Sequence, residues 1–332
     1  MKTNKQLQLL LGIGISLLSI AAIFWLIDPA EVAAALQEAN FTYLGLTGLY
    51  IAVYMGLRAL RWRYLLQDTV PLHSVFHIQN IGYMLTQILP FRLGDVARAV
   101  LVGKTPRVTV AQGMSTMMVE RVLDMLLIVI LLPLTLSEAQ TIPVWMQQGA
   151  KVTSLLAGTA LVGFVVMARR WSEIRGLLEA RQFAHAVPPR FHTWLTQADN
   201  LMSGLAALTR WRSALFLLFL TALAWIPIIL AYYTAMIAVH LPPDFAIAAF
   251  ITCAGALSVA APSSPGQIGV FHFGVMSALA LVGQPSAPSA SLAILYHATN
   301  FVMMILLGVL ALLATHIPLA RFAALRSQEV PA

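Results

Sequence analysis

The chain has 332 residues, of which 59% are hydrophobic and only 10% are charged. Soluble domains carry about 25% charged residues, so this composition excludes an ordinary soluble enzyme and indicates an integral membrane protein. The formal net charge of +7 does not indicate a nucleic-acid partner, because most lysines and arginines lie between the apolar segments, as membrane topology requires.

Six apolar runs are long enough to cross about 30 Å of hydrocarbon as full transmembrane helices. They cover about residues 7–27, 43–60, 114–136, 152–168, 214–238 and 291–316. The first run follows Lys2 and Lys5 and has about 21 residues, against about 7–15 in the core of a secretory signal. We therefore expect an uncleaved first span, with a cleaved signal as the alternative.

Two further apolar segments, about 75–102 and 245–282, are each interrupted near the middle by proline, glycine and polar residues. The interruptions fall at 89–95 and at 262–269. A broken helix exposes backbone groups that lipid cannot satisfy, so each break must face protein or a wet cavity. Two such breaks at matching places in two halves indicate the binding site of a transporter.

The cations indicate how these segments are oriented. Nearly all of the 20 lysines and arginines, including Arg58, Arg61 and Arg63, fall on one side if the first broken segment enters and leaves from that side. Cytoplasmic loops carry such an excess, so we expect both termini in the cytoplasm of a bacterial-type inner membrane. The first broken segment then enters from the cytoplasm and the second from outside.

Corresponding elements recur about 175 residues apart in opposite orientation, which is the pattern of an inverted-topology repeat. We predict an all-α integral membrane protein with six full transmembrane helices and two broken re-entrant segments. A single transmembrane domain would cover residues 1–320, with repeats at about 43–136 and 214–316. The tail 321–332 and an amphipathic connector at 170–212 would be cytoplasmic, the connector either lying on the headgroup layer or packed under the bundle.

A polar stripe runs along the helix before the first break, where Asn80, Tyr83 and Gln87 follow helical spacing. Such a stripe suits a groove in which a headgroup slides while the lipid tails stay in the membrane. Hydrogen bonding between helices explains the stripe nearly as well.

The first break carries the strongest local signal. Arg92, Asp95 and Arg98 are three residues apart, so a helix that begins near Arg92 would group them on one face. The planar fork of arginine matches phosphate oxygens, so two arginines at a membrane break suit an anionic headgroup. The alternative is an ion pair of either arginine with Asp95 at the cytoplasmic interface.

The third full span contains Glu120, Arg121 and Asp124. Glu120 and Asp124 share a helix face, and ionisable residues in a span are costly unless they pair or line water. A functional cavity and a salt-bridge network that locks the helices are both compatible with this pattern. One arrangement pairs Glu120 or Asp124 with Arg92 or Arg98.

The second break favours an anion site of a different kind. Ser263 and Ser264 can cap a half-helix that runs from about Gln267, whose free N–H groups would point into the middle of the bilayer. Gly266 and Gly269 would let the backbone approach a ligand closely.

The second break also carries an ionisable residue, a histidine. His272 lies near the start of the half-helix and could donate to a phosphate or carry a proton, or be merely hydrogen-bonded. His297 and Asn300 in the last span are weaker candidates for the same cavity.

The sequence contains no phosphate-binding loop, no serine-hydrolase elbow and no metal motif, so we expect no cofactor, no metal and no catalytic residue. The expected partner is a membrane lipid substrate. A separate lipid-modifying enzyme and a second copy of the chain are further candidate partners.

Five motifs occur in this order along the chain. They are Arg61-Trp62, 80–82 (Asn-Ile-Gly), 90–98 (Pro-Phe-Arg-Leu-Gly-Asp-Val-Ala-Arg), 120–124 (Glu-Arg-Val-Leu-Asp) and 265–271 (Pro-Gly-Gln-Ile-Gly-Val-Phe). The set resembles the membrane domain of the lysylphosphatidylglycerol synthase/flippase family, the flippase half of the multiple peptide resistance factor, over about residues 8–316.

The resemblance implies a protein that moves aminoacylated or other polar lipids between leaflets, with two re-entrant helices near the site. The family commonly has Glu where this chain has Asp95, and often Glu where it has His272. The cytosolic aminoacyltransferase domain of the two-part members is missing, so synthase activity is not expected.

The leading hypothesis is therefore a lipid translocase in which Arg92, Arg98 and the half-helix after Pro265 hold an anionic headgroup. The main alternative is an accessory membrane protein in polyprenyl-lipid glycan or hopanoid assembly. A membrane enzyme acting on a lipid phosphate through Glu120, Asp124 and His272 is the third hypothesis.

Overall fold

The computed structural model describes residues 29–89, 93–106, 108–136, 169–180, 210–260 and 265–315, with isolated positions 155, 159, 163, 166 and 199. All regular structure in these residues is helical. The predicted span 7–27 lies outside the described residues and 152–168 lies almost entirely outside them. The total of six spans therefore stays a prediction.

Ten α-helices and one 3₁₀ turn occur in the described residues. They are α1 (Pro29–Gln37), α2 (Phe41–Leu65), α3 (Leu72–Ile88), α4 (Leu93–Val102), α5 (Val110–Leu136), α6 (Trp171–Ala180), α7 (Trp211–Ala238), α8 (Phe245–Ala260), the turn Pro265–Gln267, α9 (Val270–Leu281) and α10 (Ser286–Thr315).

Among the described residues, three helices are long and apolar enough to cross a membrane. These are α2, α7 and α10, with 25, 28 and 30 residues. Helix α5 is of similar length, at 27 residues, but carries Glu120, Arg121 and Asp124. At about 1.5 Å per residue it too can cross the hydrocarbon, provided that its charges are paired inside the protein.

Helix α2 is longer than predicted, and this corrects the placement of two cations. We expected Arg58 and Arg61 in the loop after a span that ends near residue 60, but the helix continues to Leu65. Arg58 and Arg61 are only 6% and 0% exposed. Both point into the bundle, so they are not loop charges and do not count toward the predicted orientation.

Both predicted breaks are confirmed. Helix α3 ends at Ile88 and α4 begins at Leu93, while α8 and α9 are separated by the 3₁₀ turn. The second half-helix begins at Val270 rather than near Gln267 as predicted. The reason is backbone geometry, because Gly266, Gln267 and Gly269 have positive φ angles of 71°, 59° and 89°, which a right-handed helix cannot contain.

Helices α2 and α7 form the centre of the bundle and run antiparallel. The Asn40 N–H at the start of α2 donates to the Ala238 carbonyl at the end of α7, at 2.8 Å. Further along, the Thr47 and Thr234 hydroxyls are 2.9 Å apart. The numbering rises along one helix as it falls along the other, so the two helices have opposite directions.

The other helices pack around this pair. Helix α3 packs against α4 and α10, and helix α8 packs against α9 and α5. Close approach of α3 and α4 depends on Gly82 and Gly94, because a Cβ at Gly94 would clash with the Gly82 carbonyl and with Thr86. The 3₁₀ turn of the second break packs against α3, so the two broken segments meet.

Two apolar clusters form most of the buried interior. One includes Tyr232, Phe271 and Tyr296, and the other includes Trp62 and Ile81. Many large apolar side chains on the outer faces of the long helices stay exposed, as expected of surfaces that face lipid tails.

Helix α6 is the described part of the connector. Trp171 packs against the second cluster, and its indole N–H donates to Asp199 at 2.8 Å. This contact places the start of the connector against the bundle, while most of the remaining connector lies outside the described residues.

Candidate functional site

A cavity of about 220 Å³ lies inside the bundle, and both broken segments contribute to its wall. Gln87 comes from the end of α3, just before the first break, and Gln267 comes from the second break. A Cβ at Gly266 would lie 3.7 Å from the Gln87 carbonyl oxygen, so the breaks are in direct proximity. Sites for drug-sized ligands hold about 300–1,000 Å³, so this cavity suits a headgroup rather than a whole lipid.

The wall combines apolar side chains with many polar ones. The polar and aromatic-polar lining residues are Tyr54, Arg58, Tyr83, Thr86, Gln87, Arg121, Asp124, Trp225, Tyr232, Thr252, Gln267, Tyr296, His297 and Asn300. Half of them come from α2, α7 and α10, the helices that are long and apolar enough to cross a membrane. Because polar side chains in a span must pair or face water, this concentration indicates a wet site.

Two arginines present charge to the cavity at different depths. The Arg58 side chain is 7% exposed, and its Nη1 donates to the Tyr54 hydroxyl at 3.1 Å while its Nη2 lies 3.5 Å from Asp124 Oδ2. The Arg121 side chain is 42% exposed and pairs with Asp95 at 3.2 Å. Arg58 therefore lies in the interior, whereas Arg121 lies nearer the opening.

Behind the wall, a second layer of ion pairs holds the helices together. Arg61 Nη1 donates to Asp124 Oδ1 at 2.7 Å and its Nη2 lies 3.5 Å from Glu120. Arg98 Nη2 donates to the other Glu120 oxygen at 2.9 Å, and its guanidinium lies 4.2 Å from the centre of the Trp62 ring. Geometry of this quality is needed for a buried pair to offset the loss of hydration.

The ion-pair network has an excess of positive charge. Among the described residues its members are Arg58, Arg61, Asp95, Arg98, Glu120, Arg121 and Asp124. Four arginines face three carboxylates, which leaves one formal positive charge. A charge inside the membrane is costly, so the site is suited to an anion that would neutralise it.

One buried donor of Arg58 has no partner among the described residues. Its Nε makes no hydrogen bond to any group of the described residues, although the side chain lines the cavity. The Nε atoms of Arg61 and Arg98, behind the wall, are also buried without a partner among the described residues, so this feature belongs to the whole network and not to the cavity alone.

At the second break, two histidines contact the turn. His272 Nδ1 accepts the Gly269 N–H at 3.2 Å, and the His297 ring lies close to the backbone of Gly266. The ring centroids of the histidines are 4.8 Å apart. His297 lines the cavity, whereas His272 stabilises the turn behind it.

The predicted site residues divide into four groups. Gln87, Asp124 and Gln267 line the cavity. Arg98 and Glu120 are buried behind it in their mutual ion pair, and Asn80 is buried with its Nδ2 donating to the Phe76 carbonyl of its own helix. Asp95 pairs with Arg121, and Gly266, Gly269 and His272 form the turn of the second break. Arg92 and Ser264 lie outside the described residues.

The structure thus places Arg58 and Arg121 at the cavity, and not Arg98. Arg98 is 1% exposed and does not line the cavity, and the expected pair of Arg98 with Glu120 is confirmed. Sequence reasoning missed Arg58 and Arg61, yet a signal was present. Arg58 and Arg61 are three residues apart on one helix, and Glu120 and Asp124 are four residues apart on another. Residues at these spacings share a helix face, so the two faces can pair with each other.

The comparisons with known proteins agree with the membrane architecture. The family described as "Lysylphosphatidylglycerol synthase TM region" matches residues 9–308. A "UPF0104 membrane protein" of Methanothermobacter thermautotrophicus is 22% identical, over 88% of this chain and 89% of its own length. No solved structure matches the chain.

A second similar protein is longer. The "Glycosyltransferase AglD" of Haloferax volcanii is 24% identical over 96% of this chain, which spans only 56% of that relative's length. The family match covers most of the chain, including both breaks and the ion-pair network. The chain therefore belongs to the family of the lysylphosphatidylglycerol synthase transmembrane region.

Proposed function

We propose that this membrane protein translocates a lipid with a polar, anionic headgroup between the two leaflets. The headgroup would pass through the cavity while the acyl chains stay in the surrounding lipid. The observation that carries the proposal is the meeting of two broken helices at a cavity whose ion-pair network keeps one excess positive charge. Transporter sites are typically built where such breaks meet.

The packing supports an inverted-topology repeat as the basis of this site. In such a repeat, α2, α3, α4 and α5 correspond to α7, α8, α9 and α10 in that order. The contact of α3 with α10 then corresponds to the contact of α8 with α5, and the structure contains both contacts. Helices α2 and α7 correspond to each other, so the repeat relates their antiparallel contact to itself. Two halves related in this way would present the cavity to opposite sides of the membrane in turn.

Arg58 and Arg121 are the proposed headgroup-binding cations. A phosphate oxygen would meet the Arg58 guanidinium where that side chain lines the cavity, and Arg121 at the opening would attract the headgroup from the interface. Asp124 would hold Arg58 in place rather than bind the lipid. The proposed activity is transport, not catalysis, and we propose that both termini lie in the cytoplasm.

The test is leaflet exchange in vesicles that contain the purified full chain. A fluorescent phosphatidylglycerol should become accessible to an impermeant quencher faster than in protein-free vesicles. Arg58→Gln and Arg121→Gln should each slow this exchange, about tenfold for the loss of one charge-assisted hydrogen bond.

Arg63→Gln is the matched control, because Arg63 lies on α2 near Arg58 but pairs with Asp68 at the surface. Its exchange rate should equal that of the unchanged protein. Exchange no faster than in protein-free vesicles, across anionic, isoprenoid and aminoacyl lipids, would refute translocation. Arg121→Gln removes a half-exposed side chain, so it reports on function even if Arg58→Gln fails to fold.

A second candidate is an accessory role in the assembly of lipid-linked glycans. It is favoured by the name of the Haloferax relative, a glycosyltransferase that the chain matches over 56% of its length. Such a protein would bind a polyprenyl phosphosugar without moving it between leaflets. Binding in detergent with no exchange in vesicles would support this role, whereas a new lipid product in detergent would support an enzyme instead.

A further inference from the structure

Three side-chain amides converge on the cavity from three separate elements. Gln87 lies at the end of α3, Gln267 in the second break and Asn300 on α10. All three are half-buried, and none makes a side-chain hydrogen bond to another group of the described residues.

The absence of partners in this part of the chain distinguishes these amides from packing residues. Gln79, for comparison, is fully buried on α3 and donates to the Met55 carbonyl at 2.9 Å. An amide that only joins helices makes such a bond, because leaving it unpaired in a membrane protein is costly. Amides that line a wet cavity instead have donors and acceptors available to a ligand.

An amide matches a hydroxyl group especially well. Each amide offers two N–H donors and one carbonyl acceptor, and a hydroxyl is both a donor and an acceptor. Several amides around one cavity therefore suit a neutral group with several hydroxyls. They discriminate against a ligand without hydroxyls, since polar groups would then stay unpaired.

The charged side chains of the cavity disfavour a headgroup that carries an amine. Among the described lining residues Asp124 is the one carboxylate, and it already accepts from Arg61 at 2.7 Å and from the Trp225 indole at 3.4 Å. An ammonium group in the cavity would find no unpaired carboxylate among these residues. It would also lie beside Arg58 and Arg121, whose like charges repel it.

We propose that the translocated headgroup is a phosphate esterified to a neutral, hydroxyl-rich group, a sugar or a polyol, and not an aminoacylated or amine headgroup. This inference rests on the translocase function proposed above. Arg58 and Arg121 bind the phosphate, while Gln87, Gln267 and Asn300 bind the hydroxyls. The family name refers to a lysylated lipid, so the proposal assigns this chain a different substrate class within its family.

The first experiment compares headgroups on matched acyl chains in vesicles that contain the full chain. Phosphatidylglycerol and phosphatidylinositol form one arm, a polyprenyl phosphosugar the second, and lysylphosphatidylglycerol with phosphatidylethanolamine the third. Lipids of the first two arms should exchange about tenfold faster than those of the third. The ratio of the exchange rates in the first and second arms then distinguishes a polyol headgroup from a sugar headgroup. Equal exchange in all arms, or faster exchange of lysylphosphatidylglycerol, would overturn the headgroup assignment but leave translocation intact.

The second experiment uses near-isosteric variants. Gln87→Leu and Asn300→Leu remove hydrogen-bonding groups with little change in volume, and each should slow the hydroxyl-rich lipids about three- to tenfold. Exchange of phosphatidylethanolamine, whose headgroup has no hydroxyl, should slow less, so the selectivity for hydroxyl-rich lipids should fall. Gln37→Leu on α1 is the control, because Gln37 is exposed and does not line the cavity. Unchanged selectivity in both cavity variants would contradict the role of the amides.

Discussion

Arg98 and Glu120 form a 2.9 Å ion pair between α4 and α5, and neither side chain is more than 2% exposed. Helix α4 follows the first break, so this pair fixes the second half of the broken segment to the longer helix beside it. Arg61 lies against the other oxygen of Glu120 and joins α2 to the same point. The position of the first break therefore depends on ion pairs between side chains that do not line the cavity.

Glu120→Gln should strongly destabilise the protein. The change leaves Arg98 and Arg61 buried with one carboxylate fewer, and breaking a buried pair in this way costs about 3–5 kcal/mol. Thermal unfolding of the purified protein in detergent measures the loss. Asp68→Asn is the control, because the Arg63–Asp68 pair is 34% and 54% exposed and such pairs contribute about 0–1 kcal/mol. Similar losses in the two variants would argue against the buried network.

Gly94→Ala should disrupt the packing of the first broken segment. A Cβ at Gly94 would clash with the backbone of Gly82 and with Thr86, so α3 and α4 would have to separate. Gly56→Ala on α2 is matched to it, since a Cβ there meets nothing within 4 Å and alanine is the better helix former. We expect a lower unfolding temperature for the first variant and an equal or higher one for the second. A neutral Gly94→Ala would mean that the helices are not in this close contact.

Thr47→Val should have only a small effect. The Thr47 hydroxyl lies 2.9 Å from that of Thr234 between α2 and α7, and both residues are buried. Hydrogen bonds between membrane helices contribute about 0.6 kcal/mol on average, so the loss should stay below about 2 kcal/mol. Thr42→Val, at an exposed position of α2, should change nothing. Unfolding curves of the two variants, recorded side by side, measure the difference.

Cysteine labelling tests the inverted repeat and the orientation together. Asp68→Cys and Lys104→Cys lie before and after the first re-entrant segment, and both should react from the cytoplasmic side. Asp244→Cys and Gln284→Cys flank the second segment and should react only from the opposite side. The native Cys253 is 0% exposed and should give no background. Labelling of all four from one side would exclude opposed re-entrant segments.

The sequence alone predicted where the two helices break and that the charged residues of α5 lie within one helix. Proline and glycine interrupt a helix through local backbone chemistry, so the breaks could be located without knowledge of the fold. The pair of Glu120 with Arg98 was among the predicted arrangements, because carboxylates in a span must find partners. These conclusions depend on residues close together in the chain or on the cost of isolated charge in lipid.

Only the tertiary structure decided which arginines line the cavity. Arg58 and Arg61 have the sequence appearance of cations at the end of a span, where a long side chain can equally well extend to the interface or turn inward. What turns them inward is Asp124 and Glu120, about 60 residues away in the chain and on another helix. Composition and local spacing thus determined that this is a membrane protein with two broken helices. The packing of distant helices determined where its charges point, because the partner of a buried charge is set by the fold and not by its neighbours in the sequence.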